Sequence, residues 1–121
     1  MDVIARMYDA VERGDMPALG ACFIPDARIW HNVDEVEKTV DTAAIALTHL
    51  CQSSTRLSYE DRRAVEAGNI RFVQHVITAS LKSGDELRLP GMMRIELADD
   101  GRIARIEEYY DSRDTDPLMP R

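Results

Sequence analysis

Residues 70–111 decide the fold of this chain, and they read IRFVQHVITASLKSGDELRLPGMMRIELADDGRIARIEEYYD. Three strand-like runs, Ile70–Lys82, Glu86–Ala98 and Arg102–Asp111, are separated by two short segments that contain glycine and aspartate. Those residue types favour the tight turns of β-hairpins. The stretch therefore predicts an antiparallel meander whose strands are about twice the usual length of roughly five to six residues. A sheet of such strands twists and curls, and helices that cover one side of it leave a concave pocket.

The residues before the meander carry the periodicity of helices. Apolar residues at spacing i, i+3, i+4 and i+7 predict a first helix over about residues 2–13, which ends at Gly14. Asp15 is a suitable N-cap for a short second helix, which carries apolar side chains inward until Pro25 interrupts it. A third apolar stripe predicts a helix over about residues 35–50.

The remaining segments complete an α+β order. Residues 27–32 are typical of a short strand, residues 54–66 of a polar edge strand, and the tail from Arg113 is expected to be irregular. Helices followed by an antiparallel meander favour an α+β fold over a parallel sheet. We therefore expect three N-terminal helices packed on a strongly curved, mostly antiparallel sheet that encloses a pocket.

Composition narrows the partners. The 121 residues suit one domain, and a net charge of -7 disfavours nucleic acid and anionic membranes as partners. There is no apolar run of about 20 residues and no secretion signal at the N-terminus. Cys22 and Cys51 stand alone, which predicts a reducing, cytoplasmic location without a metal site. Dinucleotide and phosphate-binding motifs are missing, so no cofactor is expected.

Trp30, His31 and Asn32 form the densest group of functional residue types. Alternation along a strand turns either Trp30 and Asn32 or His31 toward the pocket. A histidine there is a serviceable general acid or base. The alternative is a half-buried histidine that bonds to the backbone.

A second group spans the meander, with Glu86 and Arg88 on one strand and Glu108 and Tyr110 on the last. Each pair has i, i+2 spacing and therefore shares a face of the sheet. Together these side chains could polarise a carbonyl or epoxide oxygen. Alternatively, Glu86 and Arg88 are solvated charges on a strand that buries its leucines.

Gln74 and His75 lie on a third strand and cannot both face the pocket. We expect Gln74 to face the cavity. His75 is then interpreted as a packed histidine at an interface between sheets.

Three segments of the sequence resemble the nuclear transport factor 2-like superfamily, specifically its SnoaL-like, ketosteroid-isomerase-like enzymes. They are YDAVERGD at 8–15, PDA at 25–27 and DGRIARIEEYYD at 100–111. The resemblance covers nearly the whole chain and implies a single domain over residues 1–121. It also implies a curved sheet wrapped around a helix, an apolar pocket and a homodimer.

Ketosteroid isomerases act through three catalytic residues, and the resemblance matches each of those positions to a residue or stretch of this chain. It places His31 where those enzymes have a general-base aspartate, and Met7, with Tyr8 beside it, at the position of their tyrosine. An apolar stretch near Pro90 stands where they have a second acid. Limonene-epoxide-hydrolase-like enzymes resemble the chain differently, at Trp30 and Asn32, at 86–90 and at Glu108.

These observations predict a cofactor-independent enzyme that moves protons on a small hydrophobic carbonyl compound, as an isomerase, cyclase or lyase. The alternatives are an epoxide hydrolase and a non-catalytic binding or dimerisation module. The predicted catalytic residues are His31, Arg88 and Glu108, and the predicted substrate-binding residues are Tyr8, Trp30, Asn32, Gln74 and Tyr110. We also expect a homodimer formed through the outer face of the long strands, whose apolar residues include Val73, Val76, Ile77, Ala79, Leu87, Leu89 and Ile95.

Overall fold

A six-stranded curved sheet forms the larger part of the molecule. The computed structural model describes residues 1–119. The strands are β1 (Phe23–His31), β2 (Glu37–Thr39), β3 (Ser54–Ala67), β4 (Ile70–Leu81), β5 (Glu86–Leu97) and β6 (Ile103–Tyr110). They are ordered β2-β1-β6-β5-β4-β3. Among the strands of residues 1–119, only the pairing of β1 with β6 is parallel. The predicted α+β fold with a mostly antiparallel sheet is confirmed.

The helices are α1 (Val3–Arg13), α2 (Met16–Gly20) and α3 (Val40–Ser53), followed at the C-terminal end by a 3₁₀-helix (Ser112–Leu118). Asp2 caps α1 by accepting a hydrogen bond of 2.8 Å from the amide of Ala5. Gly14 ends α1 with φ of 69°, a left-handed conformation that glycine adopts without steric cost. The predicted end of the first helix is therefore confirmed.

Two boundaries differ from the prediction because strand pairing overrides the local sequence pattern. The chain enters β1 at Phe23, since the amide of Ile103 donates to the carbonyl of Cys22 at 2.8 Å and draws this segment into the sheet. Likewise α3 begins at Val40 and not near residue 35. Its predicted first turn, Glu37–Thr39, instead pairs with β1 as β2.

The C-terminal tail also differs, because residues from Arg113 were expected to be irregular. Asp111 caps the 3₁₀-helix there by accepting from the amide of Arg113 at 2.9 Å. Pro120 and Arg121 belong to the predicted tail but lie outside the described residues.

The core lies between the inner face of the sheet and the helices. Buried residues of α1 and of β4, β5 and β6 belong to a single apolar cluster. The predicted dimer surface was assigned to residues that lie in this core. Apart from Val76, all the residues named for it are buried: Val73, Ile77, Ala79, Leu87, Leu89 and Ile95. Their alternation along β4 and β5 places them opposite the outer face.

Candidate active site

A cavity of about 300 Å³ lies between the inner face of the sheet and the helices. Most of its wall is apolar and includes Met7, Val11, Phe23, Ile29, Leu47, Met93 and Ile106. The polar side chains that line it are Tyr8, His31, Asp34, Lys38, Tyr59, Glu108 and Tyr110. Asp34 and Lys38 form an ion pair of 2.7 Å at its more exposed rim.

Four side chains from four different elements form a continuous hydrogen-bonded array. His31 Nε2 lies 3.1 Å from Glu108 Oε1, and His75 Nε2 lies 3.1 Å from Glu108 Oε2. His75 Nδ1 in turn lies 2.8 Å from the hydroxyl of Tyr8. The array therefore runs from α1 through β4 and β6 to β1.

Strand register brings these groups together. His31 at the end of β1 pairs directly with Glu108 in the parallel ladder, and Gly91 of β5 pairs with both His75 and Tyr110. A Cβ atom on Gly91 would lie 3.2 Å from His75 Nε2 and 3.6 Å from Glu108 Oε2. A glycine at this position thus leaves the space in which the two side chains meet.

Glu108 is held in its ionised form. Burial alone would raise its pKa, but the hydrogen bonds from His31 and His75 and the charges of both rings outweigh burial and lower the pKa to about 2. At neutral pH this carboxylate is therefore a poor proton acceptor. It is suited to orienting the two histidines and to stabilising positive charge on them.

An ionised carboxylate only accepts hydrogen bonds, so both Nε2 atoms must donate. In neutral His31 the Nδ1 atom then carries the free lone pair. Within residues 1–119 this Nδ1 atom has no hydrogen-bond partner. Every buried side-chain N or O atom in that range has one, so Nδ1 of His31 is not a buried atom. The side chain of His31 is 22% exposed. Its Nδ1 atom is therefore open to solvent or to a ligand.

Tyr8 within the array, and Tyr59 and Tyr110 beside it, remain neutral donors at physiological pH. Tyr59 lies 5.0 Å from Tyr8 and 5.1 Å from His75 between ring centroids, and Tyr110 lies 5.9 Å from His31. Burial, followed by the charge of Glu108, raises the pKa of all three phenols. They can donate hydrogen bonds to an oxygen that gains negative charge.

The structure brings together four of the predicted site residues in the cavity, namely Tyr8, His31, Glu108 and Tyr110. It places three others, Trp30, Gln74 and Arg88, on the outer face, so the expectation that they share the cavity was wrong. Alternate strand residues project to opposite faces, and the inner positions of β5 are taken by leucines. Trp30 packs against Tyr109 at 5.4 Å between ring centroids.

Asn32 has a different position from the one expected. Its amide donates to the carbonyl of Tyr110 at 3.2 Å and accepts from the amide of Tyr110 at 3.0 Å. Both bonds satisfy the backbone of β6 just past the end of β1. Asn32 therefore fastens these two strands and does not line the cavity.

His75 and Tyr59 were missed by the sequence reasoning. His75 is 2% exposed and lies within the array, not at an interface between sheets. A usable signal existed, since His75 shares its strand parity with the apolar residues Val73, Ile77 and Ala79. Tyr59 carried no such signal, because β3 is polar over most of its length.

Two features are absent from residues 1–119. No helix there is both long and apolar enough to cross a membrane. In the same range, no group of three or more His, Cys, Asp or Glu side chains could hold a metal ion.

Comparison with solved structures defines the class of fold. An NTF2-like protein from Cytophaga hutchinsonii superposes with a TM-score of 0.71 at 14% identity, covering 96% of this chain and 90% of that one. A Catenulispora acidiphila protein of ketosteroid isomerase-like fold, solved with trimethylamine, gives 0.78 at 14% identity, covering 91% and 85%. A "putative polyketide cyclase" from Xanthomonas campestris gives 0.79 at 21% identity, covering 92% and 89%. The protein has the NTF2-like cone fold.

Sequence comparison narrows that class to a family. A model of the SnoaL-like domain matches residues 4–106, and the chain belongs to that family. No curated protein sequence matches the chain.

Proposed function

We propose that the protein is a cofactor-independent enzyme that transfers a proton on a small hydrophobic carbonyl compound, as an isomerase or a cyclase. The observation that carries this proposal is the array of Tyr8, His75, Glu108 and His31 at the wall of an apolar cavity. The similarity of the fold to a protein named as a polyketide cyclase supports the same kind of chemistry.

His31 is the proposed base. Its Nδ1 lone pair takes a proton from the carbon next to the carbonyl group, so that a C–H bond breaks, an N–H bond forms and the electron pair moves into an enolate. Glu108 accepts the hydrogen bond from Nε2 and stabilises the resulting imidazolium. A carboxylate with a pKa of about 2 suits this supporting role better than the role of base.

Tyr8 is the proposed acid, and His75 supports it. This role uses His75 as an imidazolium, in which both ring nitrogens donate. In that form Nδ1 donates to the Tyr8 oxygen, and the Tyr8 hydroxyl is released to donate into the cavity. A donor aimed at the developing enolate oxygen lowers the barrier. Where the enolate is conjugated with a C=C bond, return of the proton from His31 to the far carbon completes an isomerisation. Where the enolate carbon attacks a second carbonyl group, a C–C bond closes the ring and the His31 imidazolium gives its proton to the new alkoxide.

The cavity restricts the substrate in size and polarity. Its volume of about 300 Å³ lies at the lower end of the range of ~300–1,000 Å³ usual for ligand pockets. Apolar residues supply most of its wall. The proposed substrates are therefore small hydrophobic ketones.

The geometry favours a carbonyl substrate over an epoxide. The epoxide-hydrolase alternative rests on Trp30 and Asn32, on residues 86–90 and on Glu108. Of these, Glu108 lines the cavity, whereas Trp30 and Arg88 lie on the outer face and Asn32 bonds to the backbone of Tyr110. Among the described residues, those that line the cavity include no arginine.

The test uses 2-tetralone as the probe ketone. Exchange of its α-protons for deuterium in deuterated water is monitored by NMR. His31→Gln should slow the enzyme-catalysed exchange by about 10²–10⁴-fold, the usual contribution of a general base. His49→Gln is the matched control, because His49 is an exposed histidine on α3. Exchange at the wild-type rate in His31→Gln would remove His31 as the base. Binding of 2-tetralone measured by calorimetry, without any exchange, would favour a non-catalytic binding module.

A homodimer stays a proposal, now resting on different residues. Phe72, Met92 and Tyr109 are exposed apolar side chains on the outer face of three adjacent strands. Phe72→Glu should therefore convert a dimer into a monomer in analytical ultracentrifugation, whereas Ile45→Glu on the exposed side of α3 should not. A wild-type monomer at micromolar concentration would contradict this proposal.

A cytoplasmic location is likewise proposed. It rests on Cys22 and Cys51, which are both free thiols.

A further inference from the structure

β3 contains one extra residue at the level of His75. Its pairing with β4 shifts between Glu60 and Arg63, so that Asp61 and Arg62 together stand opposite His75. Asp61 has φ of 51°, in the left-handed region that residues other than glycine seldom adopt. β-Bulges of this kind re-aim side chains and are enriched beside active sites.

The bulge directs Arg62 onto Tyr8. The guanidinium carbon lies 4.4 Å from the centroid of the Tyr8 ring. Arg62 Nε donates to the carbonyl of Tyr59 at 2.9 Å, and Nη2 donates to Glu12 Oε1 at 2.9 Å. Glu12 Oε2 accepts from the amide of Tyr59 at 2.8 Å. The guanidinium is therefore held on three sides by α1 and β3.

This arrangement differs from that of the neighbouring arginine on the same bulge. Among residues 1–119, the Arg63 side chain pairs only with the carboxylate of Asp61, at 3.3 Å. It is 70% exposed, against 37% for Arg62. An exposed pair of that kind contributes little. Arg62 instead stacks its planar cation on an aromatic face, which lysine reproduces poorly.

A cation above a phenol ring stabilises negative charge that develops on the phenol oxygen. We propose that Arg62 is a positioning residue, which fixes the Tyr8 ring and strengthens the Tyr8 hydroxyl as a donor to the substrate oxygen. The part of this inference that concerns substrate rests on the proposed function above.

The charged and titratable groups that face Tyr8 agree with this role. They are Glu12 on α1, Tyr59 and Arg62 on β3, His75 on β4 and Glu108 on β6. Burial and the charge of Glu108 raise the pKa of Tyr8, and Arg62 opposes them by lowering it.

The first experiment needs no substrate. In protein labelled with ¹³C at tyrosine Cζ, the Tyr8 signal is assigned with Tyr8→Phe and compared among variants at pH 7. Arg62→Met should move this signal upfield, because the neutral phenol loses the nearby cation that polarises its C–O bond, and Arg62→Lys should restore part of the shift. Arg63→Met is the matched control and should leave the Tyr8 signal in place. An unmoved Tyr8 signal in Arg62→Met would overturn the proposal, even if that variant were less stable.

The second experiment measures exchange of 2-tetralone. Arg62→Met should lower kcat by about tenfold, roughly an order of magnitude less than removal of a direct oxyanion donor. KM should change little, because Arg62 is not among the residues that line the cavity. If the wild-type protein shows no exchange, the proposed function fails, and the Tyr8 signal alone then decides the role of Arg62. An equal loss in Arg63→Met would reduce the effect to general surface charge and overturn the proposal.

Discussion

The inner and outer faces of β6 carry the same two residue types and use them differently. Glu108 faces inward, is hydrogen-bonded by two histidines and has its pKa lowered to about 2. Its neighbour Glu107 faces outward and joins surface ion pairs with Arg94 at 3.4 Å and Arg105 at 3.3 Å. Tyr110 lines the cavity, whereas Tyr109 is exposed on the outer face. Side-chain type alone therefore does not define the site. The site is defined by the face of the sheet that the helices pack against.

The largest predicted difference between the faces concerns the paired glutamates. Glu108→Gln should reduce turnover of 2-tetralone by about 10²–10⁴-fold, because an amide places an N–H group against one histidine and forces the wrong tautomer there. Glu107→Gln should retain wild-type turnover. Equal losses in the two variants would break the comparison.

Acid unfolding should separate the same two residues. The pKa of Glu108 is lowered from 4.5 to about 2 in the folded protein. This carboxylate therefore contributes stability above pH 4.5, about 3 kcal/mol in free energy of unfolding, which is lost as pH falls from 4.5 toward 2. Urea unfolding between pH 6 and about pH 2.5 should show this loss in the wild type and in Glu107→Gln. A Glu108→Gln variant with an equally steep loss would contradict the assignment.

Gly91 lies beside the point where the side chains of His75 and Glu108 meet, and its substitution tests whether that space is needed. A methyl group there would lie 3.2 Å from His75 Nε2 and 3.3 Å from the carbonyl oxygen of Tyr109. Gly91→Ala should lower the free energy of unfolding by about 1–3 kcal/mol, since close contacts force neighbours to shift. Gly20→Ala is the control, because its added methyl meets nothing within 4 Å and should raise stability by up to ~1 kcal/mol. Urea titrations of both variants compare the two, and equal stabilities would show that Gly91 is not needed for space.

The smallest predicted effect is at Arg88 on the outer face. Arg88→Met should change the free energy of unfolding by less than about 0.5 kcal/mol and leave turnover of 2-tetralone unchanged, as is usual for an exposed side chain away from special contacts. Chemical denaturation and the exchange assay measure both. A tenfold fall in turnover would indicate that Arg88 reaches the reacting atoms, contrary to its position on β5.

The sequence predicted the meander well because its turns are local. Gly84 and Gly101 adopt φ of 96° and 86° between the long strands, as their positions between strand-like runs indicate. The start of β1 and the existence of β2 could not be predicted in this way. The start of β1 depends on β6, which lies far along the chain. β2 depends on its pairing with β1, which local helical spacing does not reveal.

The site was predicted in part for a related reason. His31 and Glu108 stand out as residue types, and they do meet. Which face each strand residue takes was ambiguous, because apolar residues such as Phe72 and Val76 flank His75 at the opposite parity. Gln74, and not His75, was assigned to the cavity for that reason. The bulge that brings Arg62 inward leaves no mark in residue pattern, since Asp61 and Arg62 are ordinary residues of an exposed strand.

The parallel ladder between β1 and β6 has a consequence for synthesis. His31 and Glu108 are 77 residues apart in sequence, so at ~5–20 residues per second the ribosome adds the second about 4–15 seconds after the first. During that interval β1 lacks its central neighbour, and His31 lacks the carboxylate that orients it. Contacts of such long range also slow folding in general. The nascent chain therefore acquires a complete active-site candidate only after β6 has been synthesised.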